Sequence, residues 1–232
     1  MNKLKVVAVT IATGDHMKHY ERLKNSLRKF HSEEELPLIL IDEKEIKTVP
    51  DEHFFYRATP IIGHRFLEQF DVVIKLDADQ IITGDISHVW EGDFDVATVL
   101  NDPSYPIQLW DIHPYYNNGL TVMKSKEFVK HWLDLCYSEH FDRYQFREQD
   151  LLNILCSNYF KYKVKCLDSE EHIYGEFAKP NWAKFRMVEN KIMLDKQQLH
   201  VIHFGGGNAP DKGNYRIKFH ESVVKHIEKL IK

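Results

Sequence analysis

The sequence predicts a three-layer α/β fold built on a mainly parallel sheet. Two observations carry this: short runs rich in valine and isoleucine, as in strands buried on both faces, and helical apolar periodicities between them. Their alternation along the chain is the pattern of parallel strands linked by helical crossovers.

Leu4 to Ile11 is the first such run and Leu36 to Asp42 the second. Between them Met17, Tyr20, Leu23, Leu27 and Phe30 recur at three- and four-residue spacing, an amphipathic helix for which Asp15 is the expected N-cap. Thr59-Pro60 has the form of a cap followed by a first-turn proline, predicting a short helix through Phe66 that leads into a strand over Asp71 to Leu76. Phe94 to Leu100 and Leu120 to Met123 read as further strands. Asn101 to Asn117, with Pro103, Pro106, Pro114 and three tyrosines, has no periodicity and reads as a loop. Helices are expected near Ser125 to Cys136 and Glu148 to Cys156, strands at Tyr162 to Leu167 and Leu199 to Phe204, and a last amphipathic helix near Glu221 to Ile231. No repeat or Gly/Ser-rich linker marks a boundary, so one domain is expected over residues 1–232.

Hydrophobic residues make up 43% of the 232, enough for a core, and charged residues 28%. The net charge of −4 leaves no basic stripe for a nucleic-acid backbone, which argues against that class of partner. Cys136, Cys156 and Cys166 are odd in number and lack Cys-x-x-Cys spacing, against both a disulfide framework and a zinc knuckle, and for a reducing compartment. The opening apolar run is short and lacks a small-residue cleavage site, and no stretch approaches the roughly twenty apolar residues of a membrane span. The expectation is a cytoplasmic or membrane-peripheral protein without a transmembrane segment, its oligomeric state open.

Asp77-Ala78-Asp79 follows Val72 to Leu76 directly, so two carboxylates leave the carboxyl end of a predicted central strand, the edge where open α/β sheets bind ligands. Such a pair holds a hard divalent ion, Mn²⁺ or Mg²⁺, whose other positions accept phosphate oxygens. Asp-x-Asp arises by chance about once in a chain of this size, so context decides. Asp93-Phe94-Asp95 has the same spacing but precedes a strand and reads as a turn. His203, at another strand end before Gly205, Gly206 and Gly207, is either a third ligand or a structural histidine; His200, three positions earlier, should face the other way. Asn117-Asn118-Gly119 offers amides for sugar hydroxyls, or else a tight turn. Glu148-Gln149-Asp150 reads on its own as exposed charge at a helix N-terminus, and Arg65 and Lys75 as solvated cations.

Taken in order, these pieces resemble glycosyltransferase family 8, the glycogenin-like retaining enzymes with a GT-A fold. Leu76-Asp77-Ala78-Asp79 is similar to that family's Leu-Asp-x-Asp, Asn118-Gly119 to its Asn-x-Gly, Glu148-Gln149-Asp150-Leu151-Leu152-Asn153 to its Asp-Gln-Asp-x-Leu-Asn, and His203-Phe204-Gly205 to its closing His-Phe-x-Gly. The resemblance implies that Ala12, Thr13 and Tyr20 hold the nucleotide base. It implies that Arg65, Ala78, Gly205, Gly206 and Lys212 hold the rest of the nucleotide with Asp77 and Asp79, and that Asp77, Asp79 and His203 hold the metal. Gln149 would lie by the anomeric carbon, with Glu148 and Asn118 on the sugar hydroxyls or the acceptor. Two departures stand out: Glu148 replaces the family's first aspartate, and Asn208 to Lys212 stands where Lys-Pro-Trp closes the motif, leaving Lys212 as the candidate lysine.

The implied activity is metal-dependent transfer from a nucleoside-diphosphate sugar, of the UDP-sugar kind, to a hydroxyl on a glycan, protein or small molecule. The loop aromatics Tyr105 to Tyr116, with Trp110, are candidates for stacking on an acceptor sugar. Three other readings compete. A haloacid-dehalogenase-like phosphatase would place its aspartates after the first strand. A sugar nucleotidyltransferase would need a glycine-rich, arginine-bearing loop where Thr13-Gly14-Asp15 stands. A non-catalytic sugar-binding module is the last.

Overall fold

The computed structural model describes residues 4–101, 112, 114–158, 162–168, 172–175, 182–204 and 219–232. Its main sheet grows from β1 (Val6–Ile11), which pairs in parallel with β2 (Leu38–Ile41), followed by the single turn α2 (Glu43–Ile46), on one side and with β3 (Val72–Leu76) on the other. β6 (Tyr116–Met123) runs antiparallel between β3 and β5 (Val96–Leu100), and β7 (Val164–Cys166) lies parallel to β5 at the edge. The order is β2-β1-β3-β6-β5-β7, in which β6 alone runs against the other five.

Alternate residues of the strands supply two cores, as the pleat requires. Val7, Val9, Val73 and Met123 face α3 (Phe54–Phe66), α4 (Lys126–Cys136) and α5 (Glu148–Asn158). Ala8, Val72, Ile74, Leu76 and Val122 face α1 (Met17–Leu27) and a two-stranded ribbon of β4 (Gln80–Ile82) with β12 (Val201–His203). Beyond the ribbon, β8 (His172–Ile173), β9 (Arg186–Val188), β10 (Lys191–Leu194) and β11 (Gln197–Leu199) form a small sheet covered by α6 (Glu221–Leu230), which buries Val223 and Ile227 against Phe185 and Ile202. This is the expected three-layer arrangement with a mainly parallel sheet.

Several local expectations are corrected. Asp15 does not cap α1. A 3₁₀ turn over Gly14–His16 precedes the helix and already engages the His16 N–H with the Thr13 carbonyl at 2.9 Å, and His16, the cap residue, makes no side-chain capping bond. Pro60 is not a first-turn proline: α3 begins at Phe54, and Pro60 sits inside it, where its missing N–H withholds a bond from the Tyr56 carbonyl. Tyr116 and Asn117 belong to β6 rather than to a loop. The strand expected from Leu199 to Phe204 is two strands, broken at His200, whose N–H goes to Ile173 and whose carbonyl accepts from Thr83. The strands that sequence reading missed, β4 and β8 to β10, have two to four residues each, too few to show a period of two.

A single hydroxyl ties the ribbon to the first helix. Ser26, fully buried in α1, accepts the Ile82 N–H at 3.0 Å and donates to the Leu23 carbonyl at 2.9 Å. Ser26→Ala leaves that N–H buried and unsatisfied, so urea unfolding should show a loss of about 1–3 kcal/mol.

Candidate active site

β3 delivers Asp77 to the carboxyl edge of the sheet, where its N–H is held by the Gly119 carbonyl of β6 at 2.9 Å. Asp77 to Gln80 then forms a turn closed by Gln80 N–H to the Asp77 carbonyl at 3.1 Å, which reverses the chain into β4. β12 runs antiparallel to β4 with Val201 opposite Ile82, Ile202 opposite Ile81 and His203 opposite Gln80. His203 is thereby placed beside the turn: its Nε2 lies 3.3 Å from Asp77 Oδ2 and 3.1 Å from Asp79 Oδ1.

Among the described residues these three side chains form the one group of three or more that could hold a metal ion, their ligand atoms all within 4.8 Å of one another. One imidazole nitrogen and two carboxylate oxygens on one side of an ion fit a divalent metal that shares its remaining positions with a phosphate-bearing ligand. His200 faces elsewhere, its ring against those of His88 and Tyr174 at 4.7 and 6.0 Å. Asp93 and Asp95 serve the sheet instead, both engaging Lys163, at its ammonium and its N–H respectively, where β5 and β7 begin.

The floor of the site is a hydrogen-bonded network. Glu148 opens α5, and its Oε1 accepts from Thr59 Oγ1 and Asn118 Nδ2, both at 2.9 Å, while Oε2 accepts from the Thr59 N–H at 3.1 Å. Burial pushes the Glu148 carboxyl above its ordinary range, against the pull of the Lys75 charge and the Thr59 bonds. It is not the exposed helix-end charge the residues alone suggested. Gln149 Oε1 accepts from the Asn118 N–H at 3.2 Å and its Nε2 donates to Tyr115 Oη at 3.2 Å, so its amide is fixed. Asn118 sits within β6 rather than in a tight turn, beside an irregularity in the β5–β6 register between Thr98 and Val99.

The rest of the α5 segment has a different role. Asp150 accepts from Tyr115 Oη and from the Phe146 N–H, at 2.5 and 2.8 Å. Asn153 brackets Tyr116, accepting its N–H at 2.6 Å and donating to its carbonyl at 2.9 Å. Both are fully buried and clamp the start of β6 against α5.

A cavity of about 360 Å³ lies over this floor, lined by Ala12, Thr13, His16, Phe55, Lys75, Asp77, Ala78, Asp79 and Glu148 among others. Arg65 and Tyr20 do not line it. Arg65 lies some two turns past Ala58 on α3 and pairs with Glu45 at 2.6 Å, while Tyr20 lies a turn beyond His16, under the Lys24 ammonium at 5.8 Å. Gly205, Gly206, Lys212 and Trp110 fall outside the described residues.

The cation that lines the cavity is Lys75, which the sequence reading left as a solvated charge. It is buried on the α5 side of β3; its Nζ pairs with Asp77 Oδ1 and donates to the Asn118 carbonyl at 3.3 Å. A charged residue in the strand Val-Val-Ile-Lys-Leu, otherwise wholly apolar, was the available signal, since a buried ammonium persists only where it is paired.

No family model and no curated protein matches the sequence. Solved structures are similar in fold. The chain superposes on the bifunctional glycosyltransferase WbbM with a TM-score of 0.63 at 14% identity, covering 99% of this chain and 52% of that one, so it spans about half of WbbM's length. It superposes on the galactosyltransferase LgtC, solved with donor and acceptor sugar analogues, with a TM-score of 0.61 at 16% identity over 97% of this chain and 95% of that one. A glycosyltransferase involved in glycosylation of the major capsid of PBCV-1 gives 0.57 at 13%, over 97% and 98%. The chain has the GT-A fold. In this GT-A chain the acidic pair and the histidine stand at the carboxyl edge of the sheet, and Lys75 lies directly beneath them.

Lys75 holds one oxygen of Asp77 and leaves the other facing His203, and its positive charge opposes a metal at that carboxylate. Isothermal titration of Mn²⁺ into the ligand-free protein should therefore show about tenfold or more tighter binding in Lys75→Met, the direction set by removing a like charge at short range. Unchanged or weaker binding would make Lys75 a strut only.

Proposed function

We propose that this chain is a metal-dependent glycosyltransferase that moves a sugar from a nucleoside-diphosphate sugar, a UDP-sugar in particular, to a hydroxyl acceptor with retention at the anomeric carbon. The observation that carries the proposal is the convergence of Asp77, Asp79 and His203, from segments more than a hundred residues apart, at the ligand-binding edge of a GT-A fold. The ordered motifs that resemble family 8 support it, as does the likeness to LgtC, a galactosyltransferase.

Asp77, Asp79 and His203 would hold Mn²⁺ or Mg²⁺, which as a Lewis acid supplies the positive charge that a departing diphosphate requires. Ala12 and Thr13, at the end of β1, line the cavity where the nucleotide would lie, and His16, which also lines it, would offer a ring there, with Tyr20 one turn further along α1. Gln149, pinned between Asn118 and Tyr115, would present its amide to the sugar near the anomeric carbon. Glu148 and Asn118 would orient the sugar hydroxyls or the acceptor, their mutual bond fixing both before substrate arrives. By the resemblance to family 8, Gly205, Gly206 and Lys212, which follow His203 in sequence, would supply the remaining diphosphate contacts.

Calorimetric titration with UDP, with and without Mn²⁺, tests this reading: binding should be strongly metal-enhanced, and failure of every nucleoside diphosphate to show that enhancement would sink it. His203→Ala should weaken Mn²⁺-dependent binding about as much as Asp79→Ala, and the double variant should lose less than the sum, because ligands of one ion are not independent. Acid should weaken binding as well, since a protonated imidazole cannot coordinate. Strictly additive losses would reduce the site to its two aspartates.

A further inference from the structure

A second cleft of about 470 Å³ opens beside the first and shares Phe55 and Glu148 with it. It lies on the Gln149 side of Glu148, and the metal-ligating cluster does not line it. Its walls carry two exposed aromatic rings: Phe55 and Tyr56 are 57% and 54% accessible. Of the five large apolar side chains so exposed among the described residues, only these two are consecutive and line one cleft. The core does not need them, because the first turn of α3 packs inward through Phe54 and Ala58.

The Tyr56 ring is held by the guanidinium of Arg147, 4.0 Å from its centroid, and Arg147 itself stands in the left-handed region at φ 44° just before Glu148. Against these rings the floor presents the amides of Asn118 and Gln149 and the carboxylate of Glu148. One carboxylate and one guanidinium roughly cancel, so the cleft suits a neutral ligand. Aromatic faces over a row of amides complement a ring with an apolar C–H face and a rim of hydroxyls. We propose that Phe55 and Tyr56 form the wall of an acceptor subsite that takes a pyranose ring, stacked on the aromatics with its hydroxyls toward Asn118, Glu148 and Gln149. This rests on the transferase reading above, and it assigns to α3 the acceptor stacking that the sequence had suggested for the Trp110 loop.

The test is an NMR titration of the full chain, loaded with UDP and Mn²⁺, with the methyl glycosides of glucose, galactose and mannose. At least one should bind the wild type, about tenfold more weakly in Tyr56→Ala and in Phe55→Leu. Both side chains are exposed, so melting temperatures should hold, and UDP affinity in Tyr56→Ala should stay within about twofold because Tyr56 does not line the first cavity. Equal glycoside affinity in wild type and both variants, or no glycoside binding by the wild type, overturns the subsite. If UDP itself fails to bind with metal, the transferase reading falls, and the same titration on the unloaded chain still decides whether this cleft holds a pyranose.

Discussion

The site depends on one short ladder. β4 and β12 share three residue pairs, and the last of them sets His203 opposite Gln80, one residue beyond Asp79. Because side chains alternate along a strand, a slip of one residue would turn the His203 imidazole away from both aspartates. The register is therefore locked from several sides: Ser26 holds the Ile82 N–H, the Phe204 N–H reaches the Asp79 carbonyl, and Thr83 bonds His200 and Leu199 across the break between β11 and β12. The apolar residues of the ribbon, Ile82 and Val201 on one face and Ile81 and Ile202 on the other, bury it between two cores. Three residue pairs would not hold alone; burial on both sides stabilises them.

A second constraint governs the floor. Glu148 is a half-buried carboxyl group whose burial favours its neutral form, opposed by the Lys75 charge and the Thr59 bonds, and three donors from Thr59 and Asn118 hold it in place. One of those donors is the backbone N–H of the residue just before Pro60, within the helix that the proline interrupts. The proline thus marks the turn of α3 that meets this carboxyl group. Lys75 joins the two halves of the site, since its ammonium bonds Asp77, beside His203, and the carbonyl of Asn118, which in turn contacts Glu148 and Gln149. Charge balance and geometry are linked here, because Asn118 contacts Lys75, Glu148 and Gln149 at once.

The α5 segment shows how one contiguous motif divides its labour. Glu148 and Gln149 face the cavity side, whereas Asp150 and Asn153 turn inward to bind Tyr115 and the backbone of Tyr116. The inward pair places β6, and β6 presents Asn118 to the outward pair. A motif of this kind therefore carries both the groups of the site and the scaffold that aims them.

The strands of the main sheet and the helices between them, the acidic pair at the end of β3 and the turn at Asp93-Phe94-Asp95 were legible in the chain, because they rest on local apolar pattern and on position relative to a strand end. Other features were not. The ribbon strands are too short to show a period, so the distance between His203 and the aspartates follows from pairing across more than a hundred residues. Lys75 and Arg65 look alike as letters, yet one is buried against Asp77 and the other lies by Glu45 at the surface, because strand alternation and helix rotation send them to different places. Sequence alone determined that two carboxylates stand at the end of β3, because their position follows from the apolar run just before them, whereas Glu148 and Gln149 were singled out only by the resemblance of their motif. Tertiary structure decided how closely His203 approaches the acidic pair and that Lys75 lies against Asp77, because contact between distant segments depends on register, burial and charge pairing that no local pattern encodes.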